Sequence, residues 1–110
     1  MAIRYRVLGQ KSPTANQEWD IYTVTGPKDA VVSSITVANR NTDSATFRIA
    51  VRPDNATLTD DHYIAYDVQV NSNSTTALSL GITMNENDRL TVRSSSGLVS
   101  FSVFGTEIDV

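Results

Sequence analysis

The chain contains no cysteine, which excludes a disulfide framework and any thiolate metal site and leaves packing and strand pairing to stabilise it. Histidine occurs once, at His62, so no second imidazole is available to complete a catalytic or metal constellation. Long apolar runs are missing too: the longest extend a few residues, far short of the ~20 that cross a bilayer as a helix. The start, MAIRYRVLGQKS, has no apolar signal-peptide core, so neither membrane insertion nor secretion is expected. Absence of cysteine suits assembly in a reducing cytoplasm. An excess of basic charge is also lacking. The formal net charge is -3 and the pI about 4.9, which predicts no sequence-wide attraction to nucleic acid. Arg4 with Arg6, or Arg40 with Arg48 and Arg52, form at most local basic patches.

What is present is a period of two residues, with no helical period anywhere. At 110 residues the expectation is one domain, 1–110, burying roughly 65% of the unfolded chain's surface. From Val31 to Val70 the apolar residues fall at alternate positions: Ile35 and Val37, then Phe47, Ile49 and Val51, then Ile64, Tyr66, Val68 and Val70. This pattern predicts three half-buried strands arranged as a meander, the first two joined as a hairpin by the loop Asn39 to Ser44. Ile3 to Leu8 alternates Ile3, Tyr5 and Val7 against Arg4 and Arg6, as in an edge strand whose arginines face water or a partner. Trp19 to Val24 is a further strand, with the identity of its buried aromatic left open, and Gly26 to Asp29 breaks it. Thr75 to Met84 carries Gly81, a sign of a bulge or a close backbone approach. A short strand around Leu90 and Val92 and a last one from Leu98 to Phe104 follow, and Glu107 to Val110 is either an ordered strand end or a short tail. About eight short strands at even spacing predict an all-β fold, an antiparallel β-sandwich of jelly-roll-like form.

Reaction chemistry is sparse. Asp60-Asp61-His62 groups two carboxylates with the histidine, but successive residues of an extended chain point to opposite faces, and no nucleophile elbow or phosphate-cradling glycine loop accompanies them. Asp54, Asn55, Asp60 and Asp61, or Asn85 to Asp88, offer oxygen ligands without the spacing of a calcium loop; ordinary turn chemistry accounts for them. No enzyme activity, cofactor or metal is expected. An aromatic platform for carbohydrate would have to come from Trp19, Tyr22, Tyr63 or Tyr66, and strand alternation places Tyr63 opposite to Tyr66. The residues expected to make contacts with partners are Arg4 and Arg6 on the first strand, Arg40 in the Asn39 to Ser44 connection, and Asp60, Asp61 and Tyr63 around the long connection from Pro53.

The segments SSITVANRNTDSATFRIAVRP, HYIAYDVQV, LSLGITMNENDRLTV and VSFSVFGTEI together resemble a group of small virion-associated proteins of tailed bacteriophages, over nearly the whole chain. The resemblance implies a structural β-module of the particle, assembled in the host cytoplasm, with no catalytic residues. Its expected role is capsid decoration or cementing, bound to other virion proteins in multiple copies as a trimer or another symmetric homo-oligomer. A tail, collar or fibre-attachment protein, or a receptor- or glycan-binding module, are the alternatives.

Overall fold

The computed structural model describes residues 2–110. Their alternating segments form eight strands: β1 (Ile3–Lys11), β2 (Trp19–Thr23), β3 (Lys28–Asn39), β4 (Ala45–Arg52), β5 (Tyr63–Val70), β6 (Thr75–Met84), β7 (Arg89–Ser94) and β8 (Val99–Asp109). Two single turns of 3-10 helix, Pro53–Asn55 and Asp60–His62, lie between β4 and β5. The strands pair from the ends of the chain inward, β1 with β8, β2 with β7, β3 with β6 and β4 with β5, all antiparallel. Pairing of β3 with β8 and of β4 with β7 then completes two four-stranded sheets, β1-β8-β3-β6 and β2-β7-β4-β5. A double-stranded ribbon folded over in this way is a jelly roll, and the expected sandwich is the observed fold.

The core lies between the sheets. Inward positions of β3 (Val32, Ile35, Val37) and β8 (Val99, Phe101, Val103) meet Phe47 and Ile49 of β4 and Leu90 and Val92 of β7, all buried. Phe47 and Phe101, on opposite sheets, pack edge to face with ring centroids 6.1 Å apart. Such pairs favour this geometry because the positive ring edge meets the negative face.

Several expectations are corrected. No meander forms between Val31 and Val70, because β3 and β4 belong to different sheets. The connection after Asn39 therefore crosses the sandwich instead of closing a hairpin. Asn39 fastens this crossover. Buried, it donates through Nδ2 to the carbonyls of Asp43 (2.9 Å), Val70 (3.3 Å) and Asn71 (3.3 Å), and its Oδ1 accepts the Asn41 N–H at 3.0 Å. The outer strands of the pattern are also longer than expected. β3 begins at Lys28, inside the supposed break, and β8 continues to Asp109, so the chain end is an ordered strand paired with β1. Gly105 lets β8 approach β3 there: a Cβ on it would overlap the Val31 carbonyl oxygen. At Gly81 the register between β3 and β6 does slip by one residue, but the space around the glycine is open.

β5 departs most from its pattern. Of its alternating set only Val70 is buried; Ile64, Tyr66 and Val68 are 48%, 55% and 36% exposed. Two register shifts against β4 break the alternation, one of them beside Asp67, whose φ is 50°. Bulges of this kind turn side chains away from the face that period two assigns them.

Candidate interaction surfaces

Residues paired directly across a sheet share a face, and this fixes the outer surface near β1. Ile3 pairs with Ile108, Tyr5 with Thr106 and Val7 with Phe104. These β8 residues alternate with the buried Val103, Gly105 and Glu107, so both sets look outward. Ile3 is 56%, Tyr5 85% and Val7 46% exposed. The half-buried Phe104, Ile108 and Val31 continue the apolar surface inward across β8 and β3. Farther along the same sheet the outward residues are polar, with Gln10 bonded to Ser102 and Arg40 to Ser100. The sequence pattern shows the alternation at Ile3, Tyr5 and Val7 but not its direction. What sends the apolar set outward is Glu107 on the inner side.

Glu107 closes the end of the sandwich. Its buried carboxylate accepts the Tyr22 hydroxyl at 2.6 Å from the opposite sheet and the Arg6 guanidinium at 3.0 Å, with Lys28 Nζ at 4.0 Å. A buried charge is tolerated only with such partners. The Tyr22 hydrogen bond holds the Glu107 carboxyl below the usual range, outweighing burial, and Lys28 and Arg6 add to it. Burial and the adjacent carboxylate push the Tyr22 phenol far up. Tyr22, next to the bulged Ile21, is the buried aromatic of β2. Arg4 and Arg6 both keep exposed side chains, Arg4 lying 3.9 Å from Asp109.

Asp60, Asp61 and Tyr63 lie elsewhere, beside the edge strand of the other sheet. Asp60 and Asp61 are exposed on the 3-10 turn, which Thr59 caps: its N–H donates to His62 Nδ1 at 3.1 Å and its hydroxyl donates to the Asp61 carboxylate. That hydrogen bond lowers the Asp61 carboxyl. The aspartate pair and the histidine thus serve a local cap. Contrary to the alternation, the rings of Tyr63 and Tyr66 meet edge to face at 4.9 Å, because the bulges bring them to one side. The Arg48 guanidinium sits 4.1 Å over the Tyr66 ring and donates to Asp67 at 2.7 and 3.2 Å, a fork-like pairing that holds the Asp67 carboxyl down. Asp60, Tyr63 and Tyr66 line an open depression of about 460 Å³.

The six predicted contact residues therefore fall in three places. Arg40 stands apart, donating to the hydroxyls of Ser100 (2.9 Å) and Ser12 (2.8 Å) and tying the β1–β2 loop to β8. Trp19 is half exposed at the β2 margin with Lys11 Nζ 4.1 Å from its ring centre. It borders a groove of about 560 Å³ whose floor is a closed network: Asp20 accepts Arg52 and Thr91, both at 2.7 Å, while Arg52 also donates to the Ala56 carbonyl at 2.9 Å. Burial works against the Asp20 charge, but Thr91, Arg52 and Arg89 prevail and lower it. Among the described residues no group of three or more His, Asp or Glu side chains is placed to hold a metal ion. The surface that sequence reasoning missed is the apolar one at Ile3, Tyr5 and Val7. Compared with known proteins, the chain matches no family model, no curated protein and no solved structure.

Proposed function

We propose that this chain is a non-enzymatic structural protein of a tailed-phage particle, bound in multiple copies to other virion proteins and decorating or cementing the capsid. The observation that carries the binding role is the apolar outer surface at Ile3, Tyr5 and Val7. The solvated face of an antiparallel sheet is ordinarily polar, and a contiguous apolar patch on it marks a surface that a partner covers. The resemblance of the strand segments to small virion proteins supports the particle as the setting. Repetition on a symmetric particle suits the size of the patch, since many modest contacts sum to firm attachment.

Mass spectrometry of purified particles tests the reading. The chain is expected in many copies per particle, and Tyr5→Asp is expected to lower that occupancy sharply while the purified variant stays folded. Particles devoid of the chain would sink the proposal, and a reconstruction with density for it on the tail would move it to the collar or fibre attachment.

A further inference from the structure

Each sheet ends in two edge strands, and three of the four are guarded against pairing with another chain. β1 carries Arg4, Arg6 and Lys11 and is bulged after Val7. β2 has five residues and a bulge, and β5 has two register shifts and Asp67. Charge, bulges and shortness are the usual means of blunting an edge. β6 has the least protection. It runs ten residues without a charge or a proline, and among the described residues no strand pairs with its far side. Its one irregularity, at Leu80 and Gly81, leaves Thr75 to Ser79 in unbroken register with β3. The outward main-chain N–H and C=O groups of that stretch are half of a ladder.

The apolar interior is also open at this margin. β1 lies over β2 on one side of the sandwich, so β6 and β5 share the other. Leu78, Leu80 and Ile82 pack against the core yet remain partly exposed. Val68 pairs with the buried Phe47, which places it on the inner face of β5, and it is exposed too. A strand added to β6 would complete the ladder. With apolar side chains at alternate positions, it would also cover these residues.

β6 itself has that pattern. We infer that its occupant is β6 of a second copy of this chain, paired antiparallel about a two-fold axis at Ala77. In this register Thr75 lies opposite the second copy's Ser79, Thr76 opposite its Leu78, and Ala77 opposite its own equivalent. No charges meet, and a Thr–Ser pair favours a cross-strand hydrogen bond. The same operation on β1 about Tyr5 would set Arg4 directly opposite the second copy's Arg6, and like charges so placed are destabilising. The β6 ladder makes about five main-chain hydrogen bonds, the low end of the roughly 5–15 of an ordinary interface, and the covered leucines add to them. A self-complementary contact of this kind closes at two copies and joins their β1-β8-β3-β6 sheets into one. The inference stands on the β6 margin and holds whether or not the chain belongs to a particle.

Sedimentation velocity on the full chain from micromolar to millimolar concentration tests it. The unmodified chain should pass from monomer to dimer and no further. Ala77 is exposed, so a charge there leaves the monomer folded, as circular dichroism would establish, but meets its own copy at the axis. Ala77→Lys and Ala77→Glu should each stay monomeric, and their equimolar mixture should recover the dimer. The chain lacks cysteine, so Ala77→Cys should cross-link to a dimer under mild oxidation, because residues facing each other across an antiparallel pair lie within disulfide reach. Thr83→Cys, exposed on the same strand but away from the axis, should not. A monomeric unmodified chain throughout the range overturns the inference, as do variants that dimerise like the unmodified chain or a mixture that stays monomeric. So does a particle reconstruction with a different protein's strand on β6. Dimers of a chain absent from particles would remove the virion reading and leave this one. A particle-bound chain that is monomeric in solution would do the reverse.

Discussion

Tyr22 and Glu107 are separated by 85 positions in the chain and stand on different sheets, yet they share a 2.6 Å hydrogen bond. The bond ties the β2 edge to the end of β8, and because its acceptor is charged it falls in the stronger class of hydrogen bonds. Tyr22→Phe is therefore expected to cost about 1.5–3 kcal/mol in urea unfolding near neutral pH. The pH dependence follows from the lowered Glu107 carboxyl. A group whose folded value is depressed contributes stability above its unfolded value and loses it as pH falls through the folded one. Thermal stability should thus drop as pH falls below about 4.5, the ordinary value for the group. Glu107→Gln should flatten that drop, and the deficit of Tyr22→Phe should shrink as the carboxyl protonates. A deficit unchanged between about pH 7 and about pH 3 would show that the bond to the ionised form is not its origin. Asn39 gives a second test. Asn39→Ala leaves the Asp43, Val70 and Asn71 carbonyls without this donor, with an expected loss of about 1–3 kcal/mol in the same assay.

Among the elements, the pairing of β8 with both β1 and β3 holds the first and last segments together. Gly105 is its tightest point, since a Cβ would strike the Val31 carbonyl oxygen, which belongs to backbone and cannot swing away. Gly105→Ala should force β3 and β8 apart locally, cost about 1–3 kcal/mol, and lower amide-exchange protection in β3 and β8 before it does so in β4 and β7. Equal protection in both sheets would place the strain elsewhere. Between the sheets, Phe47→Ala removes one half of the edge-to-face pair with Phe101. It should destabilise by about 3–5 kcal/mol, as large truncations in a closed core do. β5 shows the opposite design: its bulges weaken the ladder with β4 but bring Tyr66 out beside Tyr63 and under Arg48.

For the molecule as a whole, the apolar outer surface at Ile3, Tyr5 and Val7 is the part that a partner would cover under the proposed function. Added salt screens charges but leaves apolar burial in place. Raising ionic strength should accordingly leave most copies of the chain on purified particles, as read by mass spectrometry after a high-salt wash; complete release would show that charges alone hold it there. The groove beside Trp19 contrasts with this surface, because Asp20, Arg52 and Thr91 satisfy one another there and fix the Pro53–Asn55 connection in place.

By itself the sequence determined the all-β class, the number of strands, most core positions of β3 and β4 (Ile35, Val37, Phe47, Ile49) and the polar connections, because period-two alternation and turn formers are local signals. It also marked Arg4, Arg6, Arg40, Asp60, Asp61 and Tyr63 as surface features, without the means to say that they occupy three separate places. Only the tertiary structure decided which strands pair and which side of an alternating strand is inside. β3 and β4 look like a hairpin in the chain, but their apolar faces are satisfied from opposite sheets across one core. Ile3, Tyr5 and Val7 look like core, but the buried carboxylate of Glu107 needs Arg6 beside it, and in a strand the neighbour of an inward residue must point out. Period two says that one face differs from the other; the partner across the sheet says which face meets water.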